Sequence, residues 1–122
     1  WNELLTRHPE EAAAFYPAVF GWEPRPVGGD SPVGGYTEWL LDGRSIGGMM
    51  DMTGHDIPGD MPDLWTVYFG VEDTDAAVAT VQELGGSLVR PAFDIPQGRV
   101  AVVADPFGTT FQVIALSGDL AG

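Results

Sequence analysis

Trp1–Trp22 (WNELLTRHPEEAAAFYPAVFGW) and Thr66–Gly86 (TVYFGVEDTDAAVATVQELGG) follow one plan: an alternating strand, an acidic helix start, an Ala-rich helix and a glycine stop. Setting Trp1 on Thr66 places Glu3 on Tyr68, Ala12 on Ala77 and Gly21 on Gly86. Few letters are shared, so the repeat lies in the pattern. A duplicated unit usually builds its working site where the two copies meet, and function is sought there.

Working outward, Trp1–Thr6 reads as a strand with Trp1, Glu3 and Leu5 on one face. His8-Pro9-Glu10-Glu11 opens a helix, with proline in the first turn and carboxylates at the positive end of its dipole. Ala12, Phe15, Tyr16 and Val19 fall at helical spacing, as a stripe to be laid on a sheet. Strands follow at Trp22–Val27, where Pro24 and Pro26 mark an edge, at Tyr36–Leu41 and at Ser45–Met52, the last two joined by the hairpin signal Asp42-Gly43. Residues 53–63 (TGHDIPGDMPD) lack periodicity and read as a linker.

The second copy opens with a strand at Trp65–Val71. Asp73 or Thr74 caps a helix that ends at Gly85-Gly86. Strands at Ser87–Phe93, Arg99–Ala104 and Thr110–Leu116 complete it. The expected organisation is one domain over 1–122: module one at 1–52, linker at 53–63 and module two at 64–118. The fold class is α+β, with two βαβββ modules forming a cupped eight-stranded mixed sheet and helices on its convex face.

Composition narrows the function. With 18 acids, five arginines and no lysine, the net charge is −13, which repels phosphate backbones and anionic lipid. Nucleic-acid and membrane partners are therefore not expected, and no apolar run approaches the ~20 residues of a membrane helix. The absence of lysine removes Schiff-base and P-loop chemistry. Zero cysteines remove disulfides, thiolate metal sites and a cysteine nucleophile, and fit a cytoplasmic location. The chain starts at Trp1 rather than Met, as expected of a trimmed chain or one piece of a longer one.

The double βαβββ pattern, with FYPAVFGW at Phe15–Trp22 and ADPFGTTFQVI at Ala104–Ile114, resembles the vicinal oxygen chelate superfamily of glyoxalase, bleomycin-resistance and extradiol dioxygenase proteins. The opening WNELLTR with AAAFYPAVFGW is similar to a subgroup carrying two such domains in tandem. The resemblance implies a cupped binding surface, completed by a homodimer partner or a tandem second domain. It also implies metal ligands on the first strand of each module and on the last strand. Those positions fall here on Trp1, Thr66 and Gln112, and an additional fourth-strand ligand falls within Gly47–Met50. Trp, Gly and Met supply no hard donor, and neutral Thr and Gln oxygens bind weakly without carboxylate or imidazole support. No metal and no other cofactor is expected.

The ligand-binding candidates are Glu3, Trp39, Tyr68, Gln112, Thr66 and Met50; no catalytic residue is assigned. Glu3 shares the cup face with Trp1, as a base or an anchor for an amine or hydroxyl. Tyr68 is its counterpart in the repeat. Gln112 shares the cup with Ile114, while Phe111 and Val113 face the helices. Glu38 and Trp39 take opposite faces, so one of them looks inward. Met49, Met50 and Met52 offer an adaptable apolar wall. His8, at the helix start, reads as exposed, and His55-Asp56 lacks calcium-loop spacing.

The expected function is metal-independent binding of a small molecule, in resistance or metabolite sequestration, with an acidic cup favouring an amine-bearing ligand. The alternatives are a metal-dependent lyase, isomerase or dioxygenase with relocated ligands, and a non-catalytic half of a tandem-domain protein. Whether a reaction is catalysed stays open at this level.

Overall fold

The computed structural model of the chain describes residues 1–27, 35–53 and 59–117. It divides into two compact units, Trp1–Thr66 and Val67–Gly122. Eight strands and two helices lie among the described residues, and the fold class is α+β.

The first unit holds β1 (Asn2–Thr6), α1 (Pro9–Phe20), β2 (Glu23–Val27), β3 (Tyr36–Leu41) and β4 (Arg44–Asp51), with strand order β2-β3-β4-β1. β1 runs parallel to β4; the other pairs are antiparallel. Proline-rich β2 takes the edge, where missing N–H donors cost least. Asp42 and Gly43, both at positive φ (51° and 77°), make the β3–β4 turn.

Leu4, Ala12, Trp39 and Met49 form the core of this unit, joined by Ala13, Tyr16 and Trp22. Trp39 is fully buried beneath α1, and its bulk explains why small Ala12 and Ala13 form the contact face of the helix. Phe15 and Val19, expected on the buried stripe, are instead exposed at 59% and 54%. The helix ends at Gly21 (φ 76°), whose N–H bonds the Pro17 carbonyl at 2.8 Å.

β5 (Leu64–Gly70) begins in the first unit and ends in the second, which continues with α2 (Thr74–Glu83), β6 (Ser87–Ile95), β7 (Gly98–Ala104) and β8 (Thr110–Leu116). The order is β5-β8-β7-β6, with β5 parallel to β8. Val78, Ala101, Val103 and Val113 are the core beneath α2, with Phe111 packed against them.

Two polar fixtures set the geometry of this unit. Asp105 accepts from the N–H groups of Phe107 (2.9 Å) and Thr109 (3.0 Å), which makes the DPFG segment a tight turn into β8. Asp73 caps α2 by accepting from Ala76 N at 3.0 Å. Next to it, buried Thr74 donates to the Arg99 carbonyl at 2.6 Å and accepts from Ala115 N at 3.1 Å, joining the helix start to β7 and β8.

Thr74→Val keeps the side-chain shape and leaves both backbone groups without that partner, so it should destabilise the fold by about 2–3 kcal/mol. Thr80→Ala, which removes only a bond to the Ala76 carbonyl of the same helix, should cost under ~1 kcal/mol. Urea denaturation of the two variants checks the difference.

Candidate functional site

The registers of β1, β3 and β4 build a row of side chains on the sheet face opposite α1. Glu3 pairs with Gly48, Gly48 with Glu38, and Glu38 with Arg25 on β2. The adjacent row on the same face is Leu5, Met50 and Tyr36. Leu4, Trp39 and Met49, one residue out of phase, lie in the core under the helix.

Glycine at 48 decides what the first row can do. A Cβ there would lie 1.9 Å from the Tyr36 hydroxyl, so the phenol occupies the space a side chain would take. From this seat the hydroxyl accepts from Trp1 Nε1 at 3.0 Å. An indole N–H can only donate, so the phenolic proton is available to the Glu3 carboxylate, with which Tyr36 is hydrogen-bonded. Burial, then the charge of Glu3 and this hydrogen bond, raise the Tyr36 pKa above the ordinary tyrosine value. Glu3 itself is only 5% exposed. At the far end of the row, Arg25 Nη2 binds Glu38 Oε2 at 2.5 Å. The face thus presents a carboxylate, an oriented phenol and an ion pair side by side.

The candidate residues distribute as follows. Glu3 and Met50 lie on this face of the first unit. Trp39 does not: it is buried under α1, with rings of Tyr16 and Trp22 each 5.6 Å away, and its Nε1 has no hydrogen-bond partner among the described residues. Glu38 takes the opposite side of that strand. Thr66 is buried on β5. In the second unit Tyr68 and Gln112 are paired in register on parallel β5 and β8, with Gln112 buried and its neighbour Val113 in the core. The pair is equivalent in the repeat to Glu3 and Gly48. His55-Asp56 lies outside the described residues.

Tyr36 was missed by sequence reasoning, and so was the last residue of the linker, Asp63. Asp63 Oδ2 accepts from the Thr6 hydroxyl at 2.5 Å and from His8 Nδ1 at 3.1 Å, and its Oδ1 accepts from Arg7 N at 3.2 Å. Arg7 Nη1 also donates to the Met61 carbonyl. The turn from β1 to α1 is thereby held from the start of β5. The Thr6 hydroxyl, then His8, hold the Asp63 carboxyl below its usual pKa; the Asp63 hydrogen bond and charge raise His8. Because a carboxylate only accepts, His8 Nδ1 carries the hydrogen.

The metal site that the family resemblance implies does not fit the donors present at those positions, Trp1, Thr66 and Gln112. Among the described residues no group of three or more His, Cys, Asp or Glu side chains could hold a metal ion. Within Gly47–Met50, the stretch to which the resemblance assigns the additional fourth-strand ligand, the Tyr36 phenol fills the space over Gly48.

The comparisons place the chain. The glyoxalase-like domain family matches residues 3–114, and the chain belongs to that family. It is 40% identical over 116 residues to "Putative glyoxylase CFP32" of Mycobacterium bovis, covering 93% of this chain and 42% of that protein. It is 36% identical over 124 residues to "Anthracycline biosynthesis protein DnrV" of Streptomyces peucetius, covering 93% of this chain and 45% of that one. The chain therefore spans less than half the length of these relatives. A solved structure described as NAD-dependent benzaldehyde dehydrogenase from Legionella pneumophila superposes with a TM-score of 0.60 at 16% identity, covering 96% of this chain and all of that one. That likeness concerns the fold alone.

Gly48→Ala should evict the Tyr36 hydroxyl and release the Trp1 indole, moving the Trp1 Nε1–H resonance toward a solvent-exposed value in a 1H–15N spectrum. For the clamp, the raised His8 value means its contribution is full below the ordinary histidine pKa and fades as pH rises through the folded value; the lowered Asp63 value means its contribution fades as pH falls through its own. The His8–Asp63 pair should therefore be tightest between about pH 4 and 6.5. Asp63→Asn should lower the His8 pKa, read from its imidazole resonances.

Proposed function

We propose that the chain binds a small molecule on the first-unit sheet face through hydrogen bonds and charge, without a metal. The observation that carries this reading is the Tyr36 phenol seated over Gly48, between Glu38 and Glu3 and bonded to Glu3 and Trp1. A polar trio beside Leu5 and Met50, with the Arg25–Glu38 pair at the far end of the row, suits a small ligand held by shape and a few fixed polar groups. Two glutamates on the face, in a chain of net charge −13, favour an amine-bearing or otherwise cationic ligand.

Kinship with proteins named as a glyoxylase and for anthracycline biosynthesis supports a ligand drawn from small-molecule metabolism. Sequestration or resistance is the role such binding would serve. The proposal extends, within the second unit taken by itself, to Tyr68 and Gln112 as a register-paired polar pair able to hydrogen-bond a small molecule. It also extends to a cytoplasmic protein that works as a homodimer or beside a second domain, for which the greater length of the relatives is support. No helix among the described residues is long and apolar enough to cross a membrane.

Elemental analysis after dialysis, following exposure to nickel, zinc, manganese and iron, tests the metal-free part. The expected result is metal far below one equivalent per chain. A stoichiometric metal that is lost in Glu3→Gln would overturn the proposal in favour of a relocated metal site.

A further inference from the structure

A recess lies on the other side of the first unit, beside α1 and away from the Glu3 row. It is a groove of about 370 Å³, within the size range of small-molecule sites, with Leu4 and Ala12 of the core at its base. Its walls are aromatic. Phe15 is 59% and Trp65 40% exposed, and Tyr16 lies between them with its ring edge-on to both (centroids 5.1 and 5.3 Å). Trp65 Nε1 donates to the Tyr16 hydroxyl at 3.1 Å, which fixes both rings. Large aromatic side chains at such exposure, gathered around one depression, are what a flat apolar ligand would cover.

The polar end of the groove is formed by Thr6, His8, Glu11 and Asp63. Two of these are committed to each other. Asp63 already accepts from Thr6, Arg7 N and His8 Nδ1, and the Thr6 hydroxyl both donates to Asp63 and accepts from His8 N at 2.8 Å. Asp63 therefore orients the imidazole and leaves Nε2 as its remaining polar atom. One turn along the helix Glu11 lines the same groove, close enough for its charge to act on His8. When His8 is protonated its Nε2–H donates, while the Glu11 carboxylate accepts. A ligand hydroxyl is the group that satisfies both at once.

We infer that this groove binds a hydroxylated aromatic small molecule, its rings against Phe15, Tyr16 and Trp65 and its hydroxyl between His8 and Glu11. The site is independent of the Glu3–Tyr36 face, so either can fail without the other.

The test titrates 2-naphthol into the full chain and follows the Trp65 and Trp1 indole N–H resonances and the His8 imidazole by 1H–15N NMR. The expected result is saturable movement of Trp65 and His8 while Trp1 stays in place. 2-Methoxynaphthalene, which cannot donate to Glu11, should bind about tenfold more weakly, and His8→Leu should weaken 2-naphthol by about the same factor. Phe15→Ala, a second exposed position, should also weaken binding of both probes. The inference is overturned if Trp65 shows no saturable shift, if Trp1 moves in its place, or if neither the methoxy probe nor His8→Leu changes affinity.

Discussion

Tyr36 can reach Glu3 because residue 48 has no side chain. The phenol lies where a Cβ would be, diagonal to its own row, and fills the gap between Glu38 and Glu3. A carboxylate at 5% exposure needs hydrogen bonds to be tolerated, and the phenol supplies one whose direction is set by the Trp1 indole on its other side. Remove the space above Gly48 and the chain of donors from Trp1 through Tyr36 to Glu3 falls apart. The face would then carry two like-charged carboxylates with Arg25 paired to one of them. The hydrogen-bonded trio depends on that one glycine.

The two modules repeat a scaffold and diverge in chemistry. In both, the first strand runs parallel to the last, and the equivalent register positions are Glu3 with Gly48 and Tyr68 with Gln112. A carboxylate faces a glycine in one module and a phenol faces an amide in the other. The helix starts diverge in the same way. Asp73 caps α2 with its own side chain, whereas His8 at the corresponding place in α1 makes no side-chain cap and is held instead by Asp63. The segment joining the modules thus supplies the anchor that the first helix lacks, and in doing so shapes the polar end of the groove beside α1.

Much of this was legible in the sequence. The alternation of apolar residues, the helix starts and the Asp42-Gly43 and Asp105–Gly108 turns place every element within a few residues, and the face assignments of Glu3, Gln112 and Val113 agree with the packing. Tyr36 was hidden by a register shift. Counting back from the hairpin turn sets Tyr36 against Met49, on the helix side. A bulge between Trp39 and Leu40 adds a residue on β4 and sets Tyr36 against Met50 instead, on the Glu3 face. The same shift decides between Glu38 and Trp39, which alternation alone left open. Asp63 was hidden for another reason: in an acidic segment without periodicity, nothing marks one carboxylate as the acceptor of three donors from a turn more than 50 residues earlier.

Titration of the tyrosines, labelled at Cζ and followed by 13C NMR, addresses the central claim most directly. The account predicts that Tyr36 keeps its proton well above the usual tyrosine value of about 10, and that Glu3→Gln lowers its pKa part of the way back, because burial remains when the charge is gone. A Tyr36 that ionises near the usual value, or whose titration is unchanged by Glu3→Gln, would contradict the hydrogen-bonded network on which the proposed binding face rests.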